Sequence, residues 1–465
     1  MKDRKEIKLA IGLKRFYRRL KSKSKRKKRR SAKHLQHIAT LAKTGGNITY
    51  DNLVKQFLPI NIRYLLACEK SGFSVEKLMS LTIDNNGEFI VPEEFSIIDY
   101  PKESYKFIQE ITAALIFQKY PIINIDYKNC LRADLGAQVL LDIILKDIIS
   151  FFKIIRRIRP QYILVEEING TNIKNDAIKK LLFSVGSPAI HLDRAVNFKD
   201  IIPYKLCIHD RESHIDPIKI IEQKDIDTTT LVEYVLDCLK RLNKKLTPEK
   251  LDDLCIVISE ILINAEEHSS TKFRFSIGYF HEIQEDGKHY GVFRLAILNF
   301  GKTIYEKFKD PDCPNTHIVS KMKTLSDSFT KRNIFFKKQF EEETLWTLYS
   351  LQEGVTTVAP EKYRKRGNGS IQFIESFFNI KGEDEITDKI SRLAILSGNA
   401  SIVFDGKYKI HEKTIEGEKF KYMTFNDSQN IEDKPDSKYV RFVEDYFPGT
   451  IISAKILFND DDFTN

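Results

Sequence analysis

The segment Ile258-Ser259-Glu260-Ile261-Leu262-Ile263-Asn264-Ala265-Glu266-Glu267-His268-Ser269 carries two patterns at once. Upstream, Thr247-Pro248 is a strong helix start, an N-capping threonine followed by proline at the first helical position. From there Leu251, Leu254, Ile258, Ile261 and Ala265 recur at spacings of three and four, which predicts the buried stripe of a helix running to about His268. Glu260, Asn264, Glu267 and His268 fall at i, i+4, i+7 and i+8 on a different face. A solvated face would explain a lone Glu-x-x-x-Asn. The segments that follow give it a second reading.

The first of them, Lys272 to Phe280, alternates as a strand, turns near Gly287 and returns through Gly291 to Leu298 as its antiparallel partner. That strand delivers Asn299-Phe300-Gly301-Lys302-Thr303-Ile304 at its end. Further on, Arg364-Lys365-Arg366-Gly367-Asn368-Gly369-Ser370 precedes Ile371, Ile374 and Phe378 at helical spacing. Glycines opening a helix let backbone N–H groups face phosphate oxygens, with the helix dipole and the cations adding to the attraction. Between these segments lies Gly354-Val355-Thr356-Thr357. Ala400 to Phe404 and Gly449 to Ile456 read as closing strands.

In this order the segments resemble the N box, the Asp-x-Gly-x-Gly box, the lid and the G2 box of the GHKL superfamily, which includes gyrase B, Hsp90, histidine kinases and anti-sigma kinases. The resemblance covers roughly residues 240 to 460, with a longer lid and an extra loop near 410 to 440. It implies a Bergerat fold for 247–465, an α/β sandwich with a mixed, mainly antiparallel sheet and helices on one face. It also implies ATP and Mg²⁺ as cofactors. Asn264 would hold Mg²⁺ and Glu260 would orient or deprotonate the attacking water. His268 would contact phosphate or cap the helix end. Asn299, Gly301 and Thr303 would receive the adenine. Thr356 and Thr357 in the lid, with Arg366, Gly367 and Gly369, would meet the phosphates. The sequence departs from the family twice, with Asn299 in place of the aspartate and Thr303 in place of the second glycine. An asparagine carbonyl still accepts from the adenine amino group but without charge assistance. Gly301 also has a plain reading, as a strand-to-loop turn.

Before this region, residues 95–220 alternate as a small β-α-β-α domain. Pro121 to Tyr127 and Tyr162 to Val165 read as strands, and helices run from about Gly136 and through Ala177 to Leu182, ending before Gly186. The strand ending Asp126-Tyr127 and the loop Leu131-Arg132-Ala133-Asp134-Leu135-Gly136-Ala137 resemble the STAS-type domains of anti-sigma antagonists. Where those carry a phosphorylated Ser or Thr, this chain has Asp134 and Leu135, and Asp134 equally reads as a helix N-cap. The expected organisation is an arm at 1–34, a helical segment at 35–94, the STAS-like domain at 95–220, a linker helix at 221–246 and the nucleotide domain at 247–465. The fold class is therefore α/β multidomain.

The formal charge of +10 is local. Residues 1–34 hold 17 Lys or Arg against Asp3 and Glu6, a net of +15, so the remaining chain carries −5. Such an arm repels itself and stays solvated; nucleic acid, an anionic surface and plain solubility are its alternative uses. No stretch is apolar enough to span a membrane, and the six scattered cysteines form no metal-ligand pattern, so a cytoplasmic protein with reduced thiols is expected. The functional expectation is an Mg-ATP-dependent conformational switch with slow hydrolysis, acting with a regulatory protein partner or as a nucleotide-dependent homodimer. The alternatives are an anti-sigma-type serine kinase and a nucleic-acid-associated scaffold that binds ATP. A histidine kinase is disfavoured, because His281 and His411 fall in predicted strands or loops.

Overall fold

The computed structural model describes residues 58–118, 120–158, 165–190, 198–210, 217–267, 271, 273–285, 288–330, 340–357, 369–381, 389–415, 418–458 and 463. The basic arm, the strand expected at 162–164, His268, Arg366 and Gly367 lie outside them. The chain divides into two compact units, residues 1–59 with 147–164 and residues 60–146 with 165–465. Of the first, the described part is chiefly the C-terminal half of one long helix. The second holds every other element.

In chain order the N-terminal elements are α1 (Ile60–Ala67), α2 (Val75–Ser80), β1 (Glu88–Ile90), β2 (Glu94–Phe95), α3 (Pro101–Ala113), β3 (Ile122–Asp126), β4 (Arg132–Ala133), α4 (Leu135–Ile158), β5 (Glu167–Thr171) and α5 (Asp176–Val185). Strands β1, β3 and β5 form a parallel sheet in that order, and β2 pairs with β4 in a short parallel ladder. The local signals are simple. Pro101 opens α3, Asn175 caps α5 by accepting from the Ala177 and Ile178 amides, and Gly186 ends it in the left-handed conformation at φ 58°. Asp134 starts α4, its Oδ1 accepting from the Ala137 amide at 2.7 Å.

The elements that follow are β6 (Ile201–Asp210), α6 (Pro217–Arg241), α7 (Pro248–Glu267), β7 (Phe273–Glu285), β8 (Lys288–Phe300), α8 (Ile304–Lys309), α9 (Thr316–Thr330), α10 (Glu342–Tyr349), α11 (Gly369–Lys381), β9 (Arg392–Phe404), β10 (His411–Ile415), β11 (Glu418–Tyr422) and β12 (Val440–Phe458). Five strands form one sheet in the order β6-β7-β8-β12-β9, and every pairing in it is antiparallel. The mixed sheet expected from sequence is thus antiparallel throughout among the described strands, and parallel pairing is confined to the N-terminal module. The extra loop near 410–440 contains the β10–β11 hairpin.

Alternation gives this sheet two different faces. Phe293, Leu295 and Ile297 of β8, Leu393 and Ile395 of β9, and Ile452, Ala454 and Ile456 of β12 pack with α6, α7 and α11 in one buried apolar core. Leu254, Ile258, Ile261 and Ala265 of α7 are at most 2% exposed, so the stripe read from sequence is the stripe that packs. The opposite face looks toward the N-terminal module: Gly136 at the start of α4 lies against Ile451. Two elements sit elsewhere than the sequence suggested. β6, placed by sequence in the α/β module, is the edge strand of the five-stranded sheet, and α6, read as a linker, supplies Leu231, Val235 and Leu239 to its core. The C-terminal layer therefore begins near residue 201. Among the described residues no helix is long and apolar enough to cross a membrane.

Candidate functional site

The helix-facing side of the sheet carries a polar row where a core would be expected. Register places His209 of β6 opposite Arg274 of β7, Arg274 opposite Asn299 of β8, Asn299 opposite Thr450 of β12, and Thr450 opposite Ser397 of β9. Arg274 is 3% exposed, Thr450 4%, and Asn299 and Ser397 are fully buried. Burying this much polarity is costly unless each group is paired, so the pairing of each member is informative.

Four of the five have side-chain hydrogen-bond partners, although the Nε of Arg274 is itself buried without one. Arg274 Nη1 donates to the Leu262 carbonyl of α7 at 2.9 Å, and its Nη2 pairs with Asp227 Oδ2 of α6 at 2.6 Å. His209 Nδ1 lies 2.7 Å from the same Asp227 oxygen and its Nε2 is 3.2 Å from Ser276 Oγ. Burial works to raise the Asp227 carboxyl, but the hydrogen bond and charge of His209, the Gln223 amide and the charge of Arg274 hold it below the usual carboxylate range. Ser397 Oγ is 2.9 Å from Thr450 Oγ1 and accepts from the Ile304 amide at 2.9 Å. Asn299 is the exception: its Oδ1 and Nδ2 are both buried and neither has a hydrogen-bond partner. A buried amide left so, in the middle of a row whose other members have partners, carries the desolvation cost of both polar atoms.

The helix α7 passes over this row. The Arg274–Leu262 bond fixes it there, and Glu260 and Asn264, two residues to either side of Leu262, are both half-buried. Thr247 begins the helix as read from sequence, accepting from the Lys250 amide at 3.3 Å. Gly369, the first residue of α11, lies against the Glu260 carboxylate so closely that a β-carbon there would overlap it. The positive end of α11 thereby faces a carboxylate, an arrangement the helix dipole favours.

The remaining expected residues divide. Gly301 is buried and its amide donates to the Pro448 carbonyl at 3.1 Å, next to Gly449, whose position against the Asn299 carbonyl leaves no room for a side chain. Thr303 is buried and is the N-cap of α8: its hydroxyl accepts from the Glu306 amide at 3.1 Å and Glu306 answers by accepting from the Thr303 amide. Its hydroxyl is thus committed to the fold. Thr356 and Thr357 are half-buried, and the Thr356 carbonyl is held by Asn315 Nδ2 at 2.8 Å, just before α9. The structure therefore brings Glu260, Gly369, Asn264 and Asn299 to one region and ties Thr356 to the start of α9. Sequence reasoning missed Thr450, Ser397, Arg274, Asp227 and His209, which only strand register and the placement of α6 bring together.

No protein-family model, no curated protein and no solved structure matches this chain.

Proposed function

We propose that the chain binds Mg-ATP in this region and works as a nucleotide-dependent conformational switch of the histidine kinase/Hsp90-like kind, with slow hydrolysis. The observation that carries the reading is the Asn299 amide, wholly buried and with neither of its polar atoms hydrogen-bonded. A carboxamide presents one acceptor and one donor side by side, which is the complement of the amino group and adjacent ring nitrogen of adenine. Choice of adenine over guanine rests on the resemblance read in the sequence, since the same amide, flipped, serves either base.

Asn264 would offer its carbonyl oxygen to Mg²⁺. Among the described residues no group of three or more His, Cys, Asp or Glu side chains is gathered for a metal, so the ion would take most of its oxygens from phosphates and water, as Mg²⁺ commonly does. Glu260, whose carboxylate lies against Gly369 at the start of α11, would orient a water against the terminal phosphate. Gly369 and the residues before it would approach the phosphates by backbone. The anti-sigma-type kinase is a weaker reading, because the STAS-like loop carries Asp134, which caps α4, where an acceptor hydroxyl would be needed.

The test is thermal shift and hydrolysis of wild type and Asn264→Ala under ATP, ADP and GTP, with and without Mg²⁺. The reading expects adenine nucleotides with Mg²⁺ to stabilise the wild type more than GTP does, and the substitution to remove most of that gain. Failure of every nucleotide to stabilise the wild type contradicts it.

A further inference from the structure

The other face of the five-stranded sheet carries a second polar row with the opposite character. Register sets Tyr279 of β7 opposite Arg294 of β8, Arg294 opposite Lys455 of β12, and Lys455 opposite Arg392 of β9. Three cations thus stand side by side on adjacent strands, where like charges directly opposite one another are destabilising. They line a cavity of about 700 Å³ between the sheet and the N-terminal module, joined by Arg441 and by Asp99 and Asp134 from the module's loops.

The cavity's acids, Asp99, Asp134 and Asp405, neutralise Arg392 but form no ion pair with Arg294 or Lys455 among the described residues. Asp99 is consumed by Arg392, which grips it through two bonds of 2.6 and 2.7 Å, and by Arg132 at 3.1 Å, with Arg441 Nη2 at the longer distance of 4.0 Å. Asp134 spends one oxygen on its helix cap. Among the described residues Lys455 forms no ion pair. Arg294 stacks over Tyr279 at 5.1 Å, and its Nη1 is buried without a partner. Arg441 gives Nη2 to the Ile98 carbonyl at 2.6 Å, and its Nε is likewise buried and unpartnered. Burial, with the charges of Arg294, Arg132 and Arg392, pushes the Lys455 ammonium down to about 8, the mark of a cation that lacks an anion. Ile98, Ala177 and Leu181 supply an apolar wall beside the cations.

We propose that this cavity binds a small soluble phosphate ester, with Lys455, Arg294 and Arg441 on the phosphate and the apolar wall against the remainder of the molecule. Unpaired guanidinium donors are suited to phosphate oxygens, and a cavity closed on two sides by protein layers suits a small molecule better than a polymer. The site is distinct from the nucleotide region, lying on the opposite face of the sheet. The same strands connect the two: β8 carries Arg294 and Asn299, and β12 carries Lys455 and Thr450.

The experiment is isothermal titration of the full chain with inorganic pyrophosphate, ribose 5-phosphate and a phosphoserine peptide, using wild type, Lys455→Gln, Arg294→Gln and Asn264→Ala. Pyrophosphate and ribose 5-phosphate are expected to bind the wild type and Asn264→Ala alike. Lys455→Gln and Arg294→Gln should each weaken them about tenfold or more. Melting of the same proteins without ligand separates binding from folding: Lys455→Gln should melt no lower than wild type, because it relieves repulsion in the row. Three results overturn the proposal: no binding of either small phosphate to wild type, equal binding by Lys455→Gln, or loss only in Asn264→Ala. Tighter binding of the phosphopeptide than of ribose 5-phosphate also overturns it, in favour of a protein partner.

Discussion

Gly369 at the start of α11 and the carboxylate of Glu260 on α7 occupy one another's space so completely that glycine is the residue that fits there. The obstacle is the far end of a flexible side chain, so Gly369→Ala should fold and push the carboxylate aside. Nucleotide affinity is expected to change little while steady-state hydrolysis falls at least about tenfold, in line with what a displaced general base or water-orienting group costs. Turnover equal to wild type would remove Glu260 from its assigned role.

Asn299 gives a prediction in which stability and binding move in opposite directions. Asn299→Leu keeps the volume roughly and removes two buried polar atoms that have no hydrogen-bond partner. Denaturant unfolding without nucleotide should show a gain of about 1–3 kcal/mol, the range for relieving a buried unsatisfied polar group. A loss of stability would mean that the amide is paired in solution.

The Asp227–Arg274–His209 group should behave as a structural clamp between α6, β6 and β7. Arg274 and Asp227 side chains are only 4% and 10% exposed. Asp227→Ala leaves a buried guanidinium uncompensated and is expected to cost about 3–5 kcal/mol in urea unfolding. A cost below about 1 kcal/mol, the level of an exposed pair, would show that the clamp is open to solvent.

Asp142 makes the N-terminal module sensitive to pH. It is 2% exposed, and burial raises its carboxyl to about 7 despite hydrogen bonds from Ser187 at 2.7 Å and Gln138 at 3.0 Å. Its folded value lies above the unfolded one near 4, so its favourable contribution is complete below about pH 4 and is lost as pH rises toward 7. At about 1.4 kcal/mol per unit, the loss over that window approaches 4 kcal/mol. Stability of wild type measured between pH 4 and 8 should carry this component, and Asp142→Asn should lack it. Identical pH profiles for the two proteins would refute the assignment.

What the sequence made legible was local. The stripe of α7, its Thr247 cap, the β7–β8 pair, the glycine at the start of α11 and the Asp134 cap all follow from spacing and end chemistry within one element. What it hid depended on partners far along the chain. Residues 201–210 fell within the bounds of the expected α/β module without being read as a strand, and the partner of β6, β7, begins more than sixty residues later. Arg274 alternates with Phe273 and Phe275 as a solvent-facing cation would, but faces the core, because Asp227 and the Leu262 carbonyl satisfy it there. Thr303 stood in the place of a family glycine; its use as a helix cap depends on Glu306, three residues on, a pairing the sequence offered and the resemblance overshadowed. The row of Arg294, Lys455 and Arg392 exists only in the register of three strands drawn from separate parts of the chain.

The central claim is that the unpartnered Asn299 amide is a nucleotide-base contact, and calorimetric titration of Mg-ATP into wild type and Asn299→Leu tests it most directly. The account predicts binding by the wild type and a loss of about tenfold or more in the variant, whose fold is expected to be the more stable of the two. Equal affinity in both proteins, or no measurable binding by the wild type, would contradict it.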